Sequence, residues 1–301
     1  MKNILLVFFM AISIVADSQK VNPLLLKNTW SAFWIAAPNA PAKTYGVYYF
    51  RKKISLSERP DSFIVHVSAD NRYVLIINEK FVSLGPARND LFHWNFETVD
   101  IAPYLVNGDN IITATVWNDG EYRPEGQISN RTGFLIQGNT AKEEIINTNT
   151  SWKCFRNTAY TPLTGIGYNT YYVSGPGELV DMNKMPGGWQ KNNFDDNAWP
   201  NAVKAHWRGA TPKGNVDIAE WMLVPSTLPP MELRVQRFAT VRKTNGVTIP
   251  DGFPATQKTI TIPANTHASF LLDQSFYTNA YPEFNFSKGK EARISLTLAE
   301  A

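Results

Sequence analysis

The sequence predicts an all-β chain of β-sandwich type, and three observations carry that reading. Aromatic residues reach 13% (17 Phe, 12 Tyr, 9 Trp) beside 18 Gly and 19 Pro. Apolar runs are short, often alternating, and bounded by Asn, Asp, Gly and Pro. Charged residues are 18% and hydrophobic ones 44%, which excludes a disordered chain, and the aromatic, Asn, Thr, Gly and Pro content does not read as a helical bundle or a coiled coil. The 301 residues suffice for one or two domains with packed cores. The net charge of +3 is small, and the basic residues are dispersed apart from Arg51-Lys52-Lys53. No basic stripe for nucleic acid is present.

The elements follow in order. Lys2, then the apolar run Ile4 to Ala16, form a positive n-region and an h-region too short to span a bilayer. Ala16 and Ser18 supply small residues at −3 and −1, so residues 1–18 read as a secretory signal peptide with Gln19 as the new terminus. No cysteine lies near that cleavage point to carry a lipid, and no later stretch is long and apolar enough for a membrane span. The expected location is secreted or periplasmic. Cys154 is the single cysteine, so no internal disulfide forms and stability must come from burial. Its setting, Trp152-Lys153-Cys154-Phe155, predicts a buried, inert thiol.

Val47 to Lys53 reads as a strand. Phe63 to Ala69 alternates, with Phe63, Val65 and Val67 on one face and Ile64, His66 and Ser68 on the other. Tyr73 to Ile77 follows the Asp70-Asn71 turn and is expected to close a tight hairpin. Asn110 to Trp117 and Gly133 to Gln137 are further strands. Asp100 caps one helical turn running to Leu105, and Asn107-Gly108-Asp109 turns the chain onward. From Asn157 to Val224 the pattern is aromatic and irregular, which suggests a segment that wraps a scaffold or carries function. Pro225 to Pro230 marks a boundary. Beyond it, residues 258–262, 269–272, 283–286 and 293–298 read as strands of a second domain.

Several blocks carry a resemblance in their order and spacing. Tyr73-Val74-Leu75-Ile76-Ile77-Asn78-Glu79-Lys80 resembles a strand-turn block of secreted glycosidase accessory domains. It is followed by Asp100-Ile101 through Asn110, then Ser151-Trp152-Lys153, then Gly177-Glu178-Leu179-Val180-Asp181, Gly188-Trp189 and Phe194-Asp195-Asp196-Asn197-Ala198-Trp199. Together they are similar to the amino-terminal β-sandwich region of bacterial α-L-rhamnosidases, family 78 glycoside hydrolases, from about Trp30 to Ala301. The resemblance implies a jelly-roll, galactose-binding-like sandwich over residues 30–224 and the beginning of a second β-sandwich over 225–301, expected to be incomplete. It implies a parent enzyme that removes α-L-rhamnose from glycans or glycosides. Catalysis in that family belongs to a downstream (α/α)₆ barrel, where an inverting mechanism needs two carboxyl groups roughly 6.5–9.5 Å apart. This chain is therefore expected to be inactive alone, with no catalytic residue, and to support the barrel or hold a rhamnose-containing glycan. The alternative is a stand-alone secreted carbohydrate-binding or surface-interaction protein. Two departures stand out: Glu79 where the family turn has Gly, which suggests a different turn type, and Asn89 where Gly is usual.

Candidate binding residues lie on loops, which rigid β-scaffolds often use for recognition. Arg88, Asp90, His93 and Trp94 form a polar-aromatic loop suited to a ligand or an interdomain contact. Glu178 and Asp181, beside Gly175-Pro176-Gly177, could accept sugar hydroxyls while Trp189 stacks on a pyranose. Asp195 and Asp196 are adjacent carboxylates and the candidates for calcium; the alternative reading gives them turn and core-edge roles. No cofactor is required by any motif. His66, His206 and His267 show no metal spacing, and no nucleophile elbow or phosphate loop occurs.

Overall fold

The computed structural model describes residues 21–164, 175–215 and 220–298. The proposed signal peptide lies outside them. Among the described residues no helix is long and apolar enough to cross a membrane. The chain divides into two compact units, one ending at Met231 and one from Glu232.

The first unit is a sandwich of two sheets. Its strands are β1 (Ile35–Ala36), β2 (Gly46–Leu56), β3 (Ile64–Ala69), β4 (Arg72–Ile77), β5 (Lys80–Gly85), β6 (Trp94–Asp100), β7 (Gly108–Asn118), β8 (Phe134–Gly138), β9 (Lys153–Asn157), β10 (Tyr160–Leu163), β11 (Gly177–Val180), β12 (Val203–Lys204), β13 (Thr211–Pro212) and β14 (Met222–Pro225). One sheet has the order β12-β1-β8-β3-β6-β14-β13, the other β5-β4-β7-β2-β9, and β10 pairs with β11 alone. The β2–β7 ladder runs unbroken from Gly46↔Asn118 to Leu56↔Gly108. Pairing is antiparallel except at β13–β14 and β14–β6, which are parallel.

Side-chain alternation explains three apolar clusters. Between the sheets lie Tyr48 and Phe50 of β2, Tyr73 and Leu75 of β4, Val65 and Val67 of β3, and Phe134 and Ile136 of β8. Cys154 joins this core, and burial pushes its thiol up to about 11. The outer face of the larger sheet is covered by Trp30, Trp34, Trp94, Phe96, Trp221 and Leu223. The outer face of the smaller sheet carries Tyr45, Val47, Tyr49, Trp189 and Trp199. Trp189 and Trp199, from the irregular segment after Asn157, cover the smaller sheet, and the first six residues of β2 are buried on both sides.

Three local expectations change. Asp70-Asn71 does not close a hairpin: β3 and β4 belong to different sheets. The corner is buried, and Asp70 accepts from Trp221 Nε1 at 2.8 Å, Ser129 Oγ at 2.5 Å and Asn130 N at 2.8 Å. Those bonds anchor the chain as it passes from one layer to the other. The hairpin is instead β4–β5, and Glu79 takes a left-handed conformation: Asn78 and Glu79 have φ of 50° and 64°. Two left-handed residues are what a type I′ hairpin turn requires. Asn78 supports it, donating from Nδ2 to Tyr104 O and accepting from Ile111 N, each at 2.9 Å. The helical turn at 102–104 begins one residue later than expected, yet Asp100 Oδ1 does accept from Ala102 N at 3.0 Å.

In the second unit β15 (Thr240–Asn245) pairs antiparallel with β16 (Ser269–Asp273). Residues 269–272 are thus a strand as expected. Residues 258–262, 283–286 and 293–298 are not. A strand needs a neighbour for its N–H and C=O groups, and those runs lie exposed beside none.

Candidate functional site

The polar cluster with the most ligand-like geometry forms where β4, β7 and β11 meet the sandwich end. Glu178 on β11 is its centre. Its Oε1 accepts from Tyr45 Oη and Trp117 Nε1, both at 2.9 Å, and from Arg72 Nη2 at 3.5 Å. Among the described residues no donor is recorded at Oε2. Arg72 opens β4, and its guanidinium lies 4.7 Å from the Trp117 ring centroid, a cation–π seat that orients it.

Beneath Arg72 stands Asp119, which follows β7. Its Oδ1 is buried without a hydrogen-bond partner, and Arg72 Nη2 is 3.9 Å away, too long for a hydrogen bond. Burial raises the Asp119 carboxyl above the ordinary range, Arg72 and Arg88 pull it down, and Glu178 pushes it up. The backbone there has little freedom. Gly120 has φ +56°, and a Cβ on it would stand 2.4 Å from Tyr45 N. Asp119 N donates to Asn71 Oδ1 at 2.6 Å. The arrangement sets the Arg72 guanidinium beside the Glu178 carboxylate, a donor and acceptor pair of the kind that a sugar diol engages.

The structure brings together some of the residues singled out in the sequence and separates others. Glu178 is at the centre, and Arg88 is exposed but acts on Asp119 electrostatically. Asp181 points to a different task. It caps the short turn Met182–Lys184, accepting from Asn183 N at 3.1 Å, and that bond holds its carboxyl below the usual range. Asp90 likewise caps Leu91–His93 through Phe92 N at 2.8 Å, with His93 Nδ1 at 3.0 Å drawing its carboxyl down. His93 Nε2 meets Lys213 Nζ. Trp94 is buried and donates from Nε1 to Ala69 O at 3.1 Å. Trp189 stacks face to face on Tyr49, with centroids 4.1 Å apart and an angle of 6°.

Asp195 and Asp196 take separate structural roles. Asp195 Oδ1 accepts from Asn197 N at 3.0 Å. Asp196 pairs with Arg51, whose side chain is 2% exposed and also donates to Trp189 O at 3.1 Å and Lys191 O at 2.9 Å. Among the described residues no group of three or more His, Cys, Asp or Glu is placed to hold a metal ion.

Asp119, Arg72, Trp117 and Tyr45 escaped the sequence reading. The one available signal was Asn118-Asp119-Gly120, a carboxylate followed by glycine at the end of a long strand.

Comparison with known proteins fits this architecture. The family model described as the α-L-rhamnosidase N-terminal domain matches residues 59–232. An α-L-rhamnosidase of Streptomyces avermitilis is 25% identical over 219 residues, 64% of this chain and 18% of that protein. The structure of a GH78 family rhamnosidase of Bacillus sp. GL1 superposes with a TM-score of 0.60 at 22% identity, covering 74% of this chain and 22% of the other. The α-L-rhamnosidase from Dictyoglumus thermophilum gives a TM-score of 0.51 at 20% identity, covering 70% and 24%. The chain spans less than a quarter of the length of each of these relatives. With more than half of its residues inside the family model, the chain belongs to the α-L-rhamnosidase N-terminal domain family.

Proposed function

We propose that the chain is the non-catalytic amino-terminal part of a secreted or periplasmic α-L-rhamnosidase-like glycoside hydrolase, and that it holds the glycan for a catalytic barrel further along the parent protein. The family match over residues 59–232 carries this reading. The partners are a rhamnose-containing glycan or glycoside and the downstream catalytic domain. Residues 1–18 direct export. Residues 30–224 form the accessory sandwich. The segment from 225 onward begins a second sandwich, whose remaining strands would cover side chains such as Val235 and Phe286, 88% and 76% exposed. Glu178 and Arg72 make the glycan contact, with the Trp117 ring seating the guanidinium and Asp119 adding an attractive charge beneath it.

The test is titration calorimetry of the full 301-residue chain with L-rhamnose, alongside an assay for chromophore release from an aryl α-L-rhamnoside. Saturable binding without turnover is expected. Glu178→Gln removes the negative acceptor and should weaken binding by about tenfold, the loss of one charge-assisted hydrogen bond. Turnover by this chain would overturn the non-catalytic assignment. Binding that Glu178→Gln leaves untouched, or no binding, would overturn the glycan-holding one.

A further inference from the structure

A second surface feature lies on the segment that covers the larger sheet. Between Ala205 and Ala210 the backbone is stapled at both ends. Ala205 N donates to Trp34 O at 2.8 Å, Ala210 N to Ala32 O at 2.9 Å, and Trp30 N to Ala210 O at 2.8 Å. Gly209 is in close approach, since a Cβ there would stand 2.1 Å from Trp30 O. Within the loop Arg208 N donates to His206 Nδ1 at 3.3 Å. His206 Nε2 is 3.3 Å from Glu220, which Arg131 meets at 3.0 Å on its other oxygen. A loop pinned this way has little conformational freedom left to lose on binding a ligand.

The loop presents Trp207, which is 75% exposed and the most exposed tryptophan among the described residues. The Arg208 guanidinium lies 4.6 Å from its ring centroid. Glu220 is engaged by Arg131 and His206, and Arg208 has no carboxylate partner among the described residues. A large aromatic exposed on a pinned loop, beside an arginine with no carboxylate partner among the described residues, offers a recognition surface. The indole face that Arg208 does not cover suits the C–H face of a pyranose. The guanidinium suits a carboxylate, which it can grip with two parallel hydrogen bonds.

We infer that Trp207 and Arg208 form a binding site for an acidic sugar, with the pyranose ring on Trp207 and a uronic carboxylate on Arg208. This site is separate from the Glu178 cluster and does not depend on the rhamnose reading.

The experiment uses the full chain at low ionic strength, with α-1,4-linked trigalacturonate and its methyl ester, a neutral ligand of the same length. Tryptophan fluorescence and calorimetry read the binding. The free acid is expected to bind about tenfold more tightly than the ester, the worth of one charge-assisted contact. Arg208→Gln should erase that difference by weakening the acid alone. Trp207→Ala should weaken both about tenfold, as loss of an aromatic stacking platform does, with an unchanged melting temperature because the ring is already in water. Equal binding of acid and ester by the unmodified chain, unchanged binding by Trp207→Ala, or no saturable binding would each overturn the inference.

Discussion

Replacing Asp196 with alanine separates a structural role from an ion-binding one. Arg51 extends from β2 and is 2% exposed; Asp196 is 23% exposed and supplies its carboxylate partner among the described residues. The change leaves the guanidinium with the carbonyls of Trp189 and Lys191, which satisfy two donors but do not neutralise the charge. Removing one partner of a fully buried ion pair costs about 3–5 kcal/mol. Two surviving hydrogen bonds and the partial exposure of Asp196 reduce this to about 2–4 kcal/mol. For a domain of this size each kcal/mol lowers the melting temperature by about 2–4 °C, so a loss of about 4–16 °C is expected. Asp195→Ala is the internal control. It removes one exposed turn acceptor and should cost less than about 1 kcal/mol. Urea unfolding with and without calcium chloride reads all three proteins. Equal costs for the two variants would refute the argument, as would a calcium-dependent rise in stability that Asp196→Ala abolishes.

His66 and Trp189 give two further tests. His66 is buried between Thr98 Oγ1 at 3.0 Å and Asn139 Oδ1 at 2.9 Å, and burial lowers its pKa from 6.5 to about 4. Between those values the unfolded chain binds the extra proton, so stability falls as pH drops from about 6.5 toward 4, by at most about 3 kcal/mol. His66→Gln should flatten that part of the urea-unfolding pH profile, and an identical slope in both proteins would contradict the assignment. Trp189→Ala should cost about 3–5 kcal/mol through the lost stack on Tyr49. Its affinity for L-rhamnose, measured below the melting transition, should be unchanged, and a variant of full stability that no longer binds would return Trp189 to the ligand site.

The sandwich was readable because alternation survives in β3, β4 and β7, where one face meets a dense core. The turn at Asn78-Glu79 was marked by the strand-turn block from Tyr73 to Lys80, but its second strand, β5, was not read from the sequence. Layer assignment was not. Asp70-Asn71 looks like a tight turn in sequence, and its partner Trp221 is 151 residues away. No local pattern encodes a bond of that span. The same limit explains the candidate site. Glu178 stood out because it lies in a recognisable block, whereas Asp119 and Arg72 acquire meaning only when β7 and β4 lie side by side. Trp94 and Trp189 misled for the opposite reason. Both follow loop-like residues, but the outer faces of both sheets are covered, so an aromatic outside the central core can still be buried.

The parallel β6–β14 ladder has a kinetic consequence. The larger sheet closes only when residues 222–225 return to lie beside residues 94–96, so its last strands are added by contacts of very long sequence separation. Chains dominated by such contacts fold slowly, because loop-closure entropy is lost before the contact repays it. During synthesis the early strands must wait, half-assembled, until the boundary prolines have emerged. The tryptophans destined for the outer layer, Trp30, Trp34 and Trp94, stay uncovered throughout that interval. That waiting state is the one most exposed to aggregation and proteolysis.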